Sequence, residues 1–341
     1  MGRQGRKSTE AGFSLVELVI AMTVTLIISG AVFQLVSAGQ SAFRREPGLA
    51  DRQQNIRMAI DLISQDIYRA GYGLPQFAQV FTDGLDAQGP AGPGGADADE
   101  LELFAAAECP ALQVCDSGGV QLTTFQPLAA CYQFPALVVL GDSSCWAMRF
   151  AEKPGAGASA SCSKGPGKSR NGHVVFPPGQ APLVNPPGGF NKWEPEWMLV
   201  GEAIRYRINL DADGTPNLER STAGGQNIPG KGGGTSSWQT IARGIEDLQV
   251  EYLNTTGWHD EPSTVSCASA TTACGDTCQA VAADYDTIIR RVRVRLSARS
   301  LAANLAGQTT SAVGDAVRGE LVTEIAPRAA VSTLGQAAGD L

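Results

Sequence analysis

Two apolar patterns follow one another in the N-terminal part of the chain. Residues 18–43 carry no formal charge, and about 20 consecutive apolar residues are enough to cross a bilayer as a helix. Further on, isoleucines recur every three or four positions, at Ile56, Ile60, Ile63 and Ile67, with Arg57, Asp61, Gln65 and Asp66 as the polar residues between them. That period is typical of an amphipathic helix with one buried face.

Together these patterns predict one long helix over residues 13–73. We expect a membrane-spanning part at about 13–36 and an amphipathic part at about 50–72. A proline removes a helical hydrogen bond, so an interruption or bend is expected at Pro47-Gly48. Glycine commonly follows the last helical turn, so the helix is expected to end at Gly71 or Gly73.

Short apolar or alternating runs then predict β-strands, at residues 101–104, 120–125, 136–140 and 146–150. Three later runs alternate strictly: Ile204, Tyr206, Ile208 and Leu210; Leu248, Val250 and Tyr252; Val292, Val294 and Leu296. Strands with one apolar and one polar face are typical of an antiparallel sheet that is covered on one side. The predicted fold is therefore α+β, with the amphipathic helix packed on an antiparallel sheet in a head at residues 74–326.

Three segments of this head are rich in Gly, Pro, Ser or Asp and poor in large apolar residues. They are residues 74–99, 153–190 and 222–236, and their composition predicts long loop insertions. The final residues, 327–341, are small and predict a flexible tail.

A basic leader precedes the apolar run. Arg3, Arg6 and Lys7 outnumber Glu10 in residues 1–12, and basic residues hold their flank of a membrane helix in the cytoplasm. A secretory signal is cleaved after its apolar run. Here the small residue at the membrane edge is Gly12, before the run, so cleavage after it would keep the helix and place a new amine on Phe13.

Glu17 lies just inside the apolar run, where an unpaired carboxylate is unfavourable. The α-amino group of a processed Phe13 on a neighbouring subunit would compensate it, because opposite charges attract strongly when both leave water. The alternative is a plain anchor helix whose glutamate extends back to the membrane surface.

The string GFSLVELVIAMTVTLIISG, residues 12–30, resembles the processing signal of type IV prepilins and of the pseudopilins of type II secretion. The resemblance implies a pilin-like fold, cleavage after Gly12 by the prepilin peptidase, N-methylation of Phe13, and a role for Glu17 in subunit assembly. Many major pilins have a proline midway along the membrane segment; here the first proline is Pro47.

Two further segments carry a resemblance. Residues 65–73 at the end of the helix are similar to PilW-type minor pilins, and residues 289–300 near the C-terminus are similar both to PilW-type minor pilins and to J-type pseudopilins. The implied function is a minor pilin at or near the pilus tip that initiates assembly. Its implied partners are other minor pilins, the major pilin, the inner-membrane assembly platform and a tip adhesin. The chain would lie in the inner membrane with a periplasmic head, then at the extracellular tip. The alternatives are a J-type pseudopilin and a membrane-anchored binding protein that never polymerises.

Charge and cysteine content fit an exported protein. The chain has 341 residues and a net charge of −8; loss of the leader leaves 23 basic and 33 acidic residues, a net charge of −10. Such acidity argues against nucleic-acid binding.

All eight cysteines lie beyond the membrane segment, where disulfides are expected: Cys109, Cys115, Cys131, Cys145, Cys162, Cys267, Cys274 and Cys278. Near pairs are Cys109 with Cys115, Cys131 with Cys145, and Cys267 with Cys274 or Cys278, but 105 connectivities exist.

No catalytic motif is found, and an enzyme is not expected. The two histidines, His173 and His259, lie in loop-like segments with no triad signature. No metal or cofactor is expected; a calcium site at Asp211, Asp213, Asn217 and Glu219 is the weaker alternative to a hairpin turn at Asp213-Gly214. The arginines at 291, 293 and 295 predict a solvated sheet face paired with acidic neighbours rather than a nucleic-acid surface.

Overall fold

The computed structural model describes the chain at residues 14–74, 80–82, 98–118, 121–142, 146–152, 172–177, 183, 193–226, 237–262, 289–301 and 318–328. The chain divides into two compact units. One comprises residues 1–51 and 302–317, and the other, the head, comprises residues 52–301 and 318–341.

The N-terminal helix, α1, runs over Leu15–Arg69, 55 residues. The helix is not interrupted at Pro47-Gly48, because both residues are assigned to it; the alternative, a bend at this point, stays a prediction. A proline removes one backbone hydrogen bond while the bonds of the neighbouring residues persist. The helix ends at Arg69, two residues before the nearer of the two glycines that were expected to end it; a turn follows, and Gly71 and Gly73 adopt φ values of 74° and 71°. Gly73 is also required sterically, since a Cβ there would lie 2.7 Å from that of Ala106.

Fourteen strands are assigned in the described chain: β1 (Phe81–Thr82), β2 (Leu101–Ala106), β3 (Leu112–Gly118), β4 (Gln121–Thr124), β5 (Ala136–Gly141), β6 (Trp146–Ala151), β7 (His173–Val175), β8 (Trp197–Leu210), β9 (Pro216–Ser221), β10 (Gln239–Arg243), β11 (Ile245–Leu253), β12 (Trp258–His259), β13 (Arg291–Arg299) and β14 (Arg318–Ile325). All named strand pairs are antiparallel. The α+β class with a long N-terminal helix is confirmed.

The strands form two sheets rather than the one that was predicted. The first, of ten strands, is organised around the 14-residue β8, which pairs with β2, β3, β5 and β9. The second has the order β12-β11-β13-β14. The alternating runs were identified correctly, but alternation does not encode which strands pair, and β8 joins the first sheet while β11 and β13 join the second.

The amphipathic part of α1 packs against both sheets in the main core. The helix contributes Ile56, Ala59, Ile60, Ile63 and Ile67, the turn after it contributes Ala70, and the strands contribute the alternating residues of β8, β11 and β13. Each of the predicted apolar positions on these strands is buried except Leu210, which is 43% exposed at the end of β8. Burial of apolar surface, at roughly 25 cal/mol per Å², makes this stripe the main contact between residues 52–69 of α1 and the two sheets.

The middle of the chain builds a second part of the head. β5 and β6 are buried along almost their whole length, because one apolar cluster covers each of their faces. Val138 and Leu140 belong to one cluster, and Leu137 and Val139 to the other. A strand that is covered on both faces is continuously apolar, as the run at residues 136–140 is.

Two of the predicted loops contain short strands. β1 lies within residues 74–99 and pairs with β2; β7 lies within residues 153–190 and pairs with β4. These strands have two and three residues, too few to produce a readable alternation. Most of residues 222–236 and of the predicted tail, 327–341, lie outside the described residues.

The structure changes the expected disulfide pairing. Cys109 is bonded to Cys131, with Cα atoms 6.0 Å apart, so neither Cys109–Cys115 nor Cys131–Cys145 forms. Cys115 is also disulfide-bonded. It lies within β3, and the extended strand carries it away from Cys109. Cys145, Cys162, Cys267, Cys274 and Cys278 lie outside the described residues.

Replacement of both Cys109 and Cys131 by serine is expected to lower the free energy of unfolding by about 3 kcal/mol, because the bond closes a loop with a sequence separation of 22. Denaturant titration measures this loss. Proteolytic mapping of the oxidised wild-type protein provides the control, and a fragment that links Cys109 to Cys115 would contradict the assigned pairing.

A buried charged cluster joins the end of α1 to the first sheet. The Arg220 guanidinium donates to both carboxylate oxygens of Asp66, from Nε at 2.7 Å and from Nη2 at 3.1 Å. The Tyr206 hydroxyl donates to the same carboxylate. Burial, together with the Asp66 charge, raises the pKa of Tyr206. Burial alone would lower the pKa of Arg220, but the hydrogen bond to Asp66 raises it overall.

Asp66 was grouped with the polar residues of the helix, and that interpretation is wrong. Only 2% of the residue is exposed, because it follows Ile63 by three positions and precedes Ala70 by four, which places it on the buried face. A helical projection would have shown a carboxylate within the apolar stripe and predicted a buried cation for it.

We expect Asp66→Asn to destabilise the head by roughly 3 kcal/mol, since it leaves Arg220 without its counter-charge in a largely buried position. Asp61→Asn, at an exposed position on the same helix, is the matched control and is expected to change stability by less than about 0.5 kcal/mol. Denaturant titration of the two variants measures both values. Equal losses would show that the buried pair has no special role.

Candidate functional site

The described chain begins at the N-terminal end of α1. Ser14 precedes the helix and caps it: its carbonyl accepts from Leu18 N–H at 3.2 Å and its hydroxyl from Val16 N–H at 3.3 Å. Such a cap satisfies backbone groups that the first turn leaves unpaired. Gly12 and Phe13, the predicted cleavage and methylation residues, lie outside the described residues.

Glu17 lies in the first turn of α1. A negative charge at this end of a helix interacts favourably with the helix dipole. Its side chain is exposed, and it forms no ion pair with the described residues. The predicted position of Glu17, inside the start of the membrane segment, is therefore consistent with the structure; the predicted pairing with a neighbouring subunit stays a prediction.

One helical segment in the described chain is long and apolar enough to cross a membrane. It covers Leu15–Ser37, with a mean hydropathy of 2.3, and no part of it is buried within the protein. Its threonines are compatible with a lipid environment because they bond within the helix: Thr23 Oγ1 donates to the Ile20 carbonyl at 2.8 Å, and Thr25 Oγ1 to that of Ala21 at 2.7 Å. Glu17 is the one charged residue of this span.

Comparison with known families agrees with this geometry. Residues 7–33 match the family model of the prokaryotic N-terminal methylation motif. The chain carries a type IV pilin-like prepilin signal. The matched residues contain Gly12, Phe13, Glu17 and most of the apolar span. No curated protein and no solved structure matches the chain.

Signal and architecture together describe a pilin-like protein. The match supports a precursor that is processed by prepilin peptidase as a pilin or pseudopilin. The apolar N-terminal helix, followed by a head of antiparallel sheets, fits an α+β pilin-like fold. This arrangement fits a membrane-anchored structural protein, and it implies partners in pilus-type assembly.

The calcium candidates are distributed over a turn and a strand. Asp211 N–H donates to the Thr215 carbonyl at 2.9 Å, and Gly214 has a φ of 74°, as in the predicted hairpin turn. Arg243 is paired with Asp211 at 3.3 Å and Asp213 at 3.6 Å, and Glu219 with Arg207 at 2.9 Å, while Asn217 is fully buried in β9. The described residues contain no cluster of acidic, histidine or cysteine side chains that could hold a metal ion.

Calcium is therefore expected to produce no saturable heat on calorimetric titration of the native protein, since both aspartates of the turn are already paired with Arg243. A saturable heat that Asp213→Asn abolishes would overturn this assignment.

Gly214→Ala tests the turn itself. It forces a Cβ into a left-handed conformation and is expected to lower the free energy of unfolding by about 1 kcal/mol.

The two histidines contact other polar groups. His173 Nδ1 lies 3.5 Å from Thr123 Oγ1, and burial lowers the pKa of His173. His259 Nε2 lies 2.8 Å from Thr256 Oγ1 and 3.2 Å from Asn254 Oδ1. None of these contacts joins an imidazole to a serine or cysteine nucleophile, and the structure offers no triad among the described residues.

The arginines of β13 face acidic side chains, as predicted. Arg293 is bonded to Glu324 at 2.9 Å and to Glu251 at 2.9 Å, and its guanidinium lies 3.9 Å from the centre of the Trp258 ring. Arg295 is paired with Glu320 at 3.2 Å. These pairs neutralise the outer face of the second sheet, so it is not a basic surface for nucleic acid.

Proposed function

We propose that the protein is a minor pilin of the PilW type, which enters a type IV pilus at or near its tip and helps to initiate assembly. The observation that carries the proposal is the methylation motif at residues 7–33, in which Glu17 is the single charge of the apolar span. A charged group in lipid is unfavourable until it is paired. Assembly with a subunit whose processed amine reaches Glu17 removes that penalty.

The size of the head supports a position at the tip. In the described residues, two sheets and three apolar clusters follow the membrane-spanning segment, and a bulky head repeated in every subunit would crowd the shaft of a filament. A few copies at the tip meet no such limit. The partners in this proposal are other minor pilins, the major pilin, the inner-membrane assembly platform and a tip adhesin.

The first test is the processing itself. Mass spectrometry of the mature protein is expected to find a chain that begins with N-methylated Phe13. Any other first residue would overturn the proposed processing.

The second test is the assembly role of Glu17. We expect Glu17→Ala to leave membrane insertion and cleavage unchanged but to lower incorporation into filaments at least about tenfold. The removal of one partner from a desolvated charge pair costs more than the 1.4 kcal/mol that corresponds to this factor. Immunoblots of sheared filaments and of membranes measure the two fractions.

Glu10→Ala is the matched control, because cleavage removes this acid together with the leader. Normal incorporation of the Glu17→Ala protein would favour a membrane-anchored binding protein that does not polymerise.

A J-type pseudopilin of type II secretion is the second candidate, since the same signal precedes both classes. Deletion of the protein separates them. Loss of surface pili with normal secretion supports the minor pilin, and loss of secreted enzymes with normal pili supports the pseudopilin.

A further inference from the structure

Strand β14 lies at an edge of the second sheet. It pairs with β13 through eight consecutive residue pairs, Arg299 with Arg318 to Val292 with Ile325, without a register shift. In the order β12-β11-β13-β14, no described strand pairs with its other side. An edge strand presents backbone N–H and C=O groups in a row that a further strand can pair with.

The other strand edges in the described chain are protected by the usual devices. β1, β7 and β12 have only two or three residues. β10 has a register shift between Thr240 and Ala242. β6 is buried, and its Met148 carbonyl accepts a hydrogen bond from Leu183 N–H at 2.8 Å. β14 is long and regular, contains no proline, and carries its charges on the outer face alone.

The two faces of β14 define what would fit beside it. On the inner face, Leu321 and Ile325 pack against the main core but remain partly exposed, so the core is incompletely covered at this margin. On the outer face, Val322 is 45% exposed between Glu320 and Glu324. An incoming strand would therefore meet Leu321 and Ile325 on the inner face. On the outer face it would meet Arg318 and two glutamates that already accept from arginines of β13.

β13 shows which sequence pairs with these faces. Its apolar residues Val292, Val294 and Leu296 lie on the core side, and its arginines alternate with them on the outer side. Arg293 and Arg295 bind Glu324 and Glu320. These glutamate side chains still have 38% and 49% of their surface exposed, and a carboxylate can accept several hydrogen bonds.

We propose that the edge of β14 with which no described strand pairs binds, by strand addition, an extended segment of another polypeptide in which apolar and basic residues alternate. Backbone hydrogen bonds to β14 would supply affinity, and the alternating side chains would supply specificity. The apolar residues would complete the core margin beside Leu321 and Ile325, and the basic residues would contact Glu320 and Glu324. This inference concerns the head alone and holds for a pilus and for a pseudopilus.

The test uses the full mature chain in detergent and a synthetic peptide with the β13 sequence, RVRVRLSAR. A peptide of the same composition without the alternation is its control. Hydrogen exchange is expected to slow at β14 amides when the first peptide is added and to remain unchanged with the second. Equal binding of both peptides, or protection of every β14 amide before any peptide is added, would overturn the proposal.

Two substitutions at one exposed position sharpen the test. Val322→Lys places a like charge beside the incoming basic residues and is expected to weaken peptide binding about two- to fivefold, the range for single surface charge contacts. Val322→Glu is expected to bind as tightly as the wild type or more tightly. Exchange at β13 checks that β14 remains paired in both variants.

Equal affinity of the Val322→Lys and Val322→Glu variants would contradict the acidic recognition. A head dimer that forms without peptide, and that Val322→Lys disrupts, would assign the edge to a second copy of the chain instead. Neither result would bear on the methylation of Phe13 or on the role of Glu17, so failure of this inference is distinguishable from failure of the proposed function.

Discussion

The packing of residues 52–69 of α1 on the two sheets depends on one stripe of the helix. Ile60, Ile63 and Ile67 are almost completely buried, and they contact residues from both sheets in a single core. Neither sheet alone covers the apolar residues that meet there, and an isolated amphipathic helix is only marginally stable in water. Helix and sheets therefore stabilise one another, and the charged cluster of Asp66, Tyr206 and Arg220 lies within this arrangement. Since a buried carboxylate without a cation would be strongly unfavourable, the cluster permits only a packing in which Arg220 meets Asp66.

What could be predicted from the sequence was largely local. The period of the isoleucines and the glycines at 71 and 73 predicted the helix and its end, because helical contacts join residues three or four positions apart. The alternating strands were likewise readable, since side chains on a strand change face at every residue. The prepilin signal could be predicted for a different reason. A membrane span requires a contiguous apolar run, so the signal lies within one short segment of the sequence, and the family match at residues 7–33 supports it.

What could not be predicted depends on distant pairing. Alternation indicates which face of β8 is buried. It does not indicate that β8 joins the first sheet while β11 and β13 join the second. Cys109 and Cys131 come together because the strands between them fold back, and sequence separation contains no such information. The same holds for Asp66, whose cation is 154 residues away. Helical geometry alone could have shown that Asp66 is buried, but only the tertiary fold identifies Arg220 as its partner.

Glu17 and Asp66 place the same chemical group in two different surroundings. Asp66 is removed from water by the head, and Arg220 and Tyr206 of the same chain satisfy it. Glu17 lies in a span that none of the described residues buries, and it forms no ion pair with them. Folding of the head therefore supplies Asp66 with its hydrogen-bond partners. The carboxylate of Glu17 must instead be solvated by water at the membrane surface or paired with a cation from another molecule. Because Coulomb attraction grows as the surroundings become less polar, the attraction between Glu17 and a cation of another molecule becomes stronger as helices associate. In the assembly that we propose, a single acid in an otherwise uncharged span would therefore favour association over a solitary anchor.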